Sequence, residues 1–144
     1  VQGREYAVGA YLVASDTVMD FQSDYSKKVY IAPKGLAHSS SDATIRSKYT
    51  CIGTIPANPD GKGSDYWIGD ISVDVNTGGW FPSAQGSSDT QGWADRCWAG
   101  GTSTSGTREF LVGGSLGSGS FAGVCFLACW VGLGGAHWNC LGCD

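Results

Sequence analysis

The sequence predicts an α+β fold: one domain with two short helices early, a small antiparallel sheet late, and long ordered loops. Three observations predict it. At 144 residues the chain is long enough for one real core and too short for two. Charged residues make up 15%, well under the usual quarter, while 23 glycines and many aromatic residues favour strands and loops over a helical bundle. Residues 71–75 (ISVDV) alternate apolar with polar, as a strand with one wet face does.

Taken in order, residues 5–13 (EYAVGAYLV) read as a strand. Ser15, Asp16 and Thr17 could cap a first short helix, because their side-chain oxygens accept from its orphan N–H groups. Val18, Phe21 and Tyr25 would share one face of it, with Lys27 and Lys28 at the negative end of its dipole. Pro33-Lys34-Gly35 is a turn, and a second helix is expected over 42–49, capped by Ser41 or Asp42. Residues 56–64 are loop. Asp60, Lys62, Ser64 and Asp65 resemble a calcium loop, but a lysine occupies a ligand position and the glycine is misplaced, so a solvated turn is the reading. After the 71–75 strand the chain turns at 76–79, and Trp80-Phe81-Pro82 opens a long irregular segment. Within 83–106, rich in Gly, Ser, Thr and Asp, Trp93 and Trp98 are expected to supply the packing. No repeat or linker is visible, so residues 1–144 are read as one domain.

Residues 110–143 contain no charged side chain and hold four of the six cysteines. This is not read as a membrane span. The densest apolar part, 121–133, falls short of the roughly 20 residues a spanning helix needs. It is broken by Gly123 and Gly132 and has no flanking Lys or Arg. Nine Lys and Arg against thirteen Asp and Glu give a net charge of −4 with no basic cluster, which argues against nucleic acid as a partner.

Motifs for chemistry are weak. Gly113-Gly114-Ser115-Leu116-Gly117 matches a nucleophile elbow, with His137 and Asp144 downstream. Every second residue there is Gly or Ser, however, and no helix pattern follows. Gly117-x-Gly119-x-x-Ala122 lacks the helix and the acidic residue of a dinucleotide site. Cys125, Cys129, Cys140 and Cys143 could form a four-thiolate zinc site, pair as disulfides, or be buried hydrophobes. We expect no catalytic activity and no cofactor.

The tail carries a further pattern: GGS-x-x-x-G-S-x-A-G over 113–123, then a strand, then G-L-G-x-A-x-W-x over 132–139. This resembles the variable region of diversity-generating retroelement target proteins, which are C-type-lectin-fold ligand-binding proteins of phages, archaeal viruses or their hosts. Residues 80–101 are similar to the segment that precedes such regions, and Tyr66-Trp67-Ile68-Gly69 is similar to a C-type-lectin strand. The resemblance implies a C-type-lectin-like domain at a virion or cell surface. It implies a constant frame of Gly113, Gly114, Ser115, Gly119, Ala122, Gly123, Leu127, Gly132, Trp138 and Gly142. It also implies a variable ligand-binding set, about 113–142: Leu116, Ser118, Phe121, Phe126, Ala128, Trp130, Val131, Gly135, His137, Asn139, Cys140 and Leu141. The chain departs from the family pattern at Trp130, which adenine mutagenesis of an asparagine codon does not produce, and at Cys143, where an arginine is usual.

Period-two alternation along 124–131 sends Cys125, Leu127 and Cys129 to the core and Phe126, Ala128 and Trp130 outward. An outward cluster of Phe121, Phe126 and Trp130 would suit a binding face. The expected partner is a protein or glycan on a cell or virus surface. A purely structural surface component would need no such cluster.

Overall fold

The computed structural model describes residues 12–37, 39, 41–86, 95–101, 103–112 and 127–129. Eight strands and one helix follow one another: β1 (Leu12–Phe21), β2 (Lys27–Ile31), α1 (Asp42–Lys48), β3 (Thr50–Thr54), β4 (Ser64–Val73), β5 (Trp80–Gln85), β6 (Arg96–Ala99), β7 (Gly106–Val112) and β8 (Leu127–Cys129). Across the sheet the order is β3-β2-β1-β7-β8-β6-β4-β5. Every neighbouring pair is antiparallel except β6 and β8, which run parallel.

Strand β4 serves two partners. Its residues 64–67 pair with β6 and its residues 68–73 pair with β5, with irregular register around Gly69. A Cβ at Gly69 would lie 2.9 Å from the Gln85 backbone, so only glycine lets the two chains approach this closely. The β4–β5 hairpin thereby folds over the main sheet. Phe81 of β5 rests on Gly53 of β3, where a Cβ would overlap its ring, so the two outermost strands touch. Pro82 is buried on β5, an edge strand, where the missing N–H is tolerated. Between hairpin and sheet lies the main core: Met19, Phe21, Val29, Ile55, Tyr66, Ile68, Cys97, Ala99 and Phe110.

Helix α1 covers the opposite face. Ile45 and Tyr49 pack on Val18 and Tyr30, with Ala32 and Leu36 alongside. The Ser41 side chain accepts from Thr44 N–H as the N-cap, and Arg46 and Lys48 sit in the last turn. Two carboxylates pin the helix down. Asp20 of β1 holds Arg46 by two bonds, 3.0 and 2.9 Å, and accepts 2.6 Å from Gln22. Asp42 accepts from the Thr107 hydroxyl at 2.7 Å and from its N–H at 3.3 Å.

The Thr107 hydroxyl bond holds the Asp42 carboxyl below its ordinary value of 3.8, against the opposing effect of burial. A depressed folded-state pKa means that this contribution to stability is complete above 3.8 and fades as pH falls through the lower folded value. Thr107→Val should therefore raise the Asp42 pKa toward 3.8 and flatten the acid limb of the stability profile. Carboxyl NMR titration of both proteins checks this, and an unchanged Asp42 midpoint would refute it.

The α+β, C-type-lectin-like expectation is corrected: the fold is mostly β, with one helix, of seven residues, among the described residues. The first expected helix is the end of β1, a turn and β2. Both faces of β1 are covered, by α1 on one side and the hairpin core on the other. Residues 17–21 are consequently all buried and show no alternation to distinguish a strand from a helix. The segments read as irregular around 80–85 and 96–99 are strands. Of the apolar side of 71–75 only Ile71 packs on the main core: Val73 is 57% exposed, and Val75, in the hairpin turn, is 91% exposed. Among the described residues, no helix is long and apolar enough to cross a membrane.

Candidate ligand-binding face

Strands β4 and β6 present one dry face and one wet face. Inward go Ser64, Tyr66 and Ile68 of β4, with Cys97 and Ala99 of β6, all buried. Outward go Asp65, Trp67, Arg96 and Trp98. The register sets Asp65 opposite Trp98 and Trp67 opposite Arg96, so the four form a two-by-two patch. Arg96 Nε donates to Asp65 Oδ1 at 3.0 Å, and Nη2 approaches the same oxygen at 2.8 Å. The guanidinium also lies over the Trp67 ring, 5.2 Å from its centroid. An exposed ion pair adds only about 0.2–1 kcal/mol to stability. Its larger effect is to fix a donor fork and a carboxylate beside the Trp98 indole, which is 40% exposed. Trp98 was expected to be packing and is instead a surface residue.

Strand β8 extends this surface. Leu127 stands in register with buried Cys97, Ala128 with exposed Trp98, and Cys129 with buried Ala99. Ala128 is the one expected binding position that lies among the described residues, and the backbone brings it beside Trp98. Leu116, Ser118, Phe121, Phe126, Trp130, Val131, Gly135, His137, Asn139, Cys140 and Leu141 lie outside them. So do Ser115, Trp93 and Asp144, along with Cys125, Cys140 and Cys143 of the zinc or disulfide alternatives. Sequence reasoning did not assign Asp65, Arg96 or Trp98 to a site. The only local signal was the alternation Arg96-Cys97-Trp98-Ala99 inside a segment taken for loop.

Two other places hold polar groups. Beneath the patch, Lys27 is 1% exposed and donates to Tyr25 O at 3.1 Å and Lys62 O at 2.6 Å, tying a turn to the loop before β4. Nearby, Tyr66 faces Cys97 across the strands, and its buried hydroxyl makes no close hydrogen bond among the described residues, with the Cys97 thiol and the Ser64 hydroxyl as its polar neighbours. Burial raises the Tyr66 pKa and pushes the Cys97 thiol up to about 12, so Cys97 stays a thiol at neutral pH, a poor nucleophile or metal ligand. This cluster is structural. A cleft of about 450 Å³ lies between the 33–36 turn and the β4–β5 hairpin turn, lined by Asp16, Ile31, Lys34, Asn76 and Thr77 among others. Asp16 is exposed there and already accepts from Thr17.

Among the described residues no group of three or more His, Cys, Asp or Glu could hold a metal ion. No protein-family model matches the chain, and no curated protein or solved structure is significantly similar to it.

Proposed function

We propose that the protein is a non-enzymatic ligand-binding domain, displayed on a virion or cell surface. Its recognition face includes the side of β4 and β6 that carries Asp65, Trp67, Arg96 and Trp98, with β8 next to β6, and the tail sequence is diversified by a retroelement. The observation that carries this reading is the meeting of two independent features at one register position. Trp98 exposes an indole next to an oriented Asp65–Arg96 pair, and its β8 neighbour is Ala128, which the tail pattern marks as variable. Tryptophan and arginine side chains are enriched at binding hot spots.

Tolerance to mutation tests this reading. A library of single substitutions at the twelve variable positions should leave most members folded, because surface substitutions typically shift stability by about 0.5 kcal/mol or less each. Leu127→Ala, in register with fully buried Cys97, should cost about 2–5 kcal/mol. Proteolytic resistance of the displayed library measures both. A library that unfolds as readily as Leu127→Ala would show that these positions belong to the core. A neighbouring reverse-transcriptase gene with an adenine-bearing template repeat would identify the diversifying machinery.

A further inference from the structure

We infer that the cleft between the 33–36 turn and the β4–β5 hairpin turn binds a small apolar zwitterion of dipeptide size. Its ammonium meets Asp16 and its carboxylate meets Lys34. None of the residues that line the cleft belongs to the recognition face proposed above, so this inference and that reading stand or fall separately.

The cleft holds about 450 Å³, inside the range of about 300–1,000 Å³ in which small-molecule sites fall. Both of its walls are fixed by their own turns. On one side Leu36 N–H donates to Pro33 O at 3.1 Å, with Gly35 at a φ of +85°. On the other, the Asp74 carboxylate accepts from Thr77 N–H at 2.9 Å and from its hydroxyl at 2.7 Å. Walls set in advance spare a ligand the entropy of ordering them.

The polar groups in the cleft are of both signs and have bonding capacity to spare. Asp16 Oδ1 accepts from the Thr17 hydroxyl at 3.0 Å, which leaves Oδ2 open among the described residues. Lys34 and the Asn76 carboxamide have no side-chain partner among the described residues. Asp16 and Lys34 line one cleft without forming an ion pair with each other. An anion would be opposed by Asp16 and by the net charge of −4, and a cation by Lys34. A neutral ligand would strip water from both charges without meeting either. A molecule that carries one charge of each sign satisfies both, and Asn76 can bond a peptide group between them.

Size and apolarity follow from the backbone. Ala32 N–H donates to Asp16 O at 2.8 Å, so Asp16 stands beside Ala32. Lys34 comes two residues later, within about 7 Å of extended chain, and an extended dipeptide covers a similar length. Between the two charges lie Ala32 and Leu36, half-buried against the α1 core, an apolar surface for the ligand's side chains.

The test is an amide-resolved NMR titration of the full chain with leucyl-leucine. Saturable shifts should centre on Ala32, Leu36, Asn76 and Thr77. Blocking the ligand's ammonium, as N-acetyl-leucyl-leucine, should weaken binding about tenfold, the loss of one charge-assisted contact. Asp16→Asn should weaken the free dipeptide similarly and leave the acetylated one unchanged. Leucyl-leucine amide and Lys34→Gln should behave in the same way at the other end. Asp16 and Lys34 are exposed, so both variants should keep the far-UV circular dichroism of the parent. Absence of saturable shifts at those four amides overturns the proposal. So does equal affinity for the free and the blocked dipeptides, or an Asp16→Asn loss as large for the acetylated ligand as for the free one.

Discussion

Phe110→Ala should lower the unfolding free energy by about 3–5 kcal/mol, the usual cost of truncating a fully buried phenylalanine. The ring is 1% exposed on β7 and meets Trp80 of β5 edge-on, with centroids 5.5 Å apart and planes at 85°. Edge-to-face pairs add about 0.5–1.5 kcal/mol beyond the area they bury. The contact joins the main sheet to the hairpin folded over it, so nothing nearby can collapse into the space without moving a strand. Urea denaturation should show a lower midpoint at unchanged slope. A loss below about 1 kcal/mol would mean that the hairpin does not close over β7 in solution.

The second large effect lies on the opposite face. Asp20 is fully buried, and Arg46 reaches it from α1 with two bonds to the two carboxylate oxygens. Removing one partner of a buried pair strands the other charge, at a cost of about 3–5 kcal/mol. Arg46→Ala should fall near 3 kcal/mol, the lower end of that range, because the Arg46 side chain is 40% exposed and water can partly replace it. Asp20→Leu combined with Arg46→Leu should cost less than Arg46→Ala alone, since no orphan carboxylate remains. Thermal denaturation of the single and double variants measures the coupling directly. If the double variant is the less stable, the pair itself is stabilising and the orphan-charge argument fails.

What could be read in the sequence depended on how local its cause was. The α1 helix was legible because Ser41 and the residues after it carry a cap and an apolar contact within eight positions. The 33–36 and 76–79 turns were legible for the same reason, since Gly35 and Gly78 take the positive φ that other residues resist. Strand β1 was not. Its Val18 and Phe21 fall at helical spacing, while the layers that bury them come from α1 and β5, many residues away. Trp98 was misassigned on similar grounds, because a tryptophan in a Gly/Ser-rich segment reads as packing until its strand partners are known. The Asp65–Arg96 pair spans 31 positions, and no periodicity in the sequence announces it. Strand order was equally silent, being set by which edges meet. The strand expected in the tail had a local cause in its alternation, and residues 127–129 of it are β8.

Strand β8 comes last in sequence among the described strands, yet in space it lies between β7 and β6, near the middle of the sheet. A ribosome releases its neighbours first. Until residues 127–129 emerge, β7 and β6 each hold out a row of unmet amide and carbonyl groups facing the same empty slot. The nascent chain must therefore wait for β8 before this sheet becomes continuous, and pairings this distant along the chain close slowly. Residues 127–129 then complete the sheet of each newly made copy by filling the slot between β7 and β6.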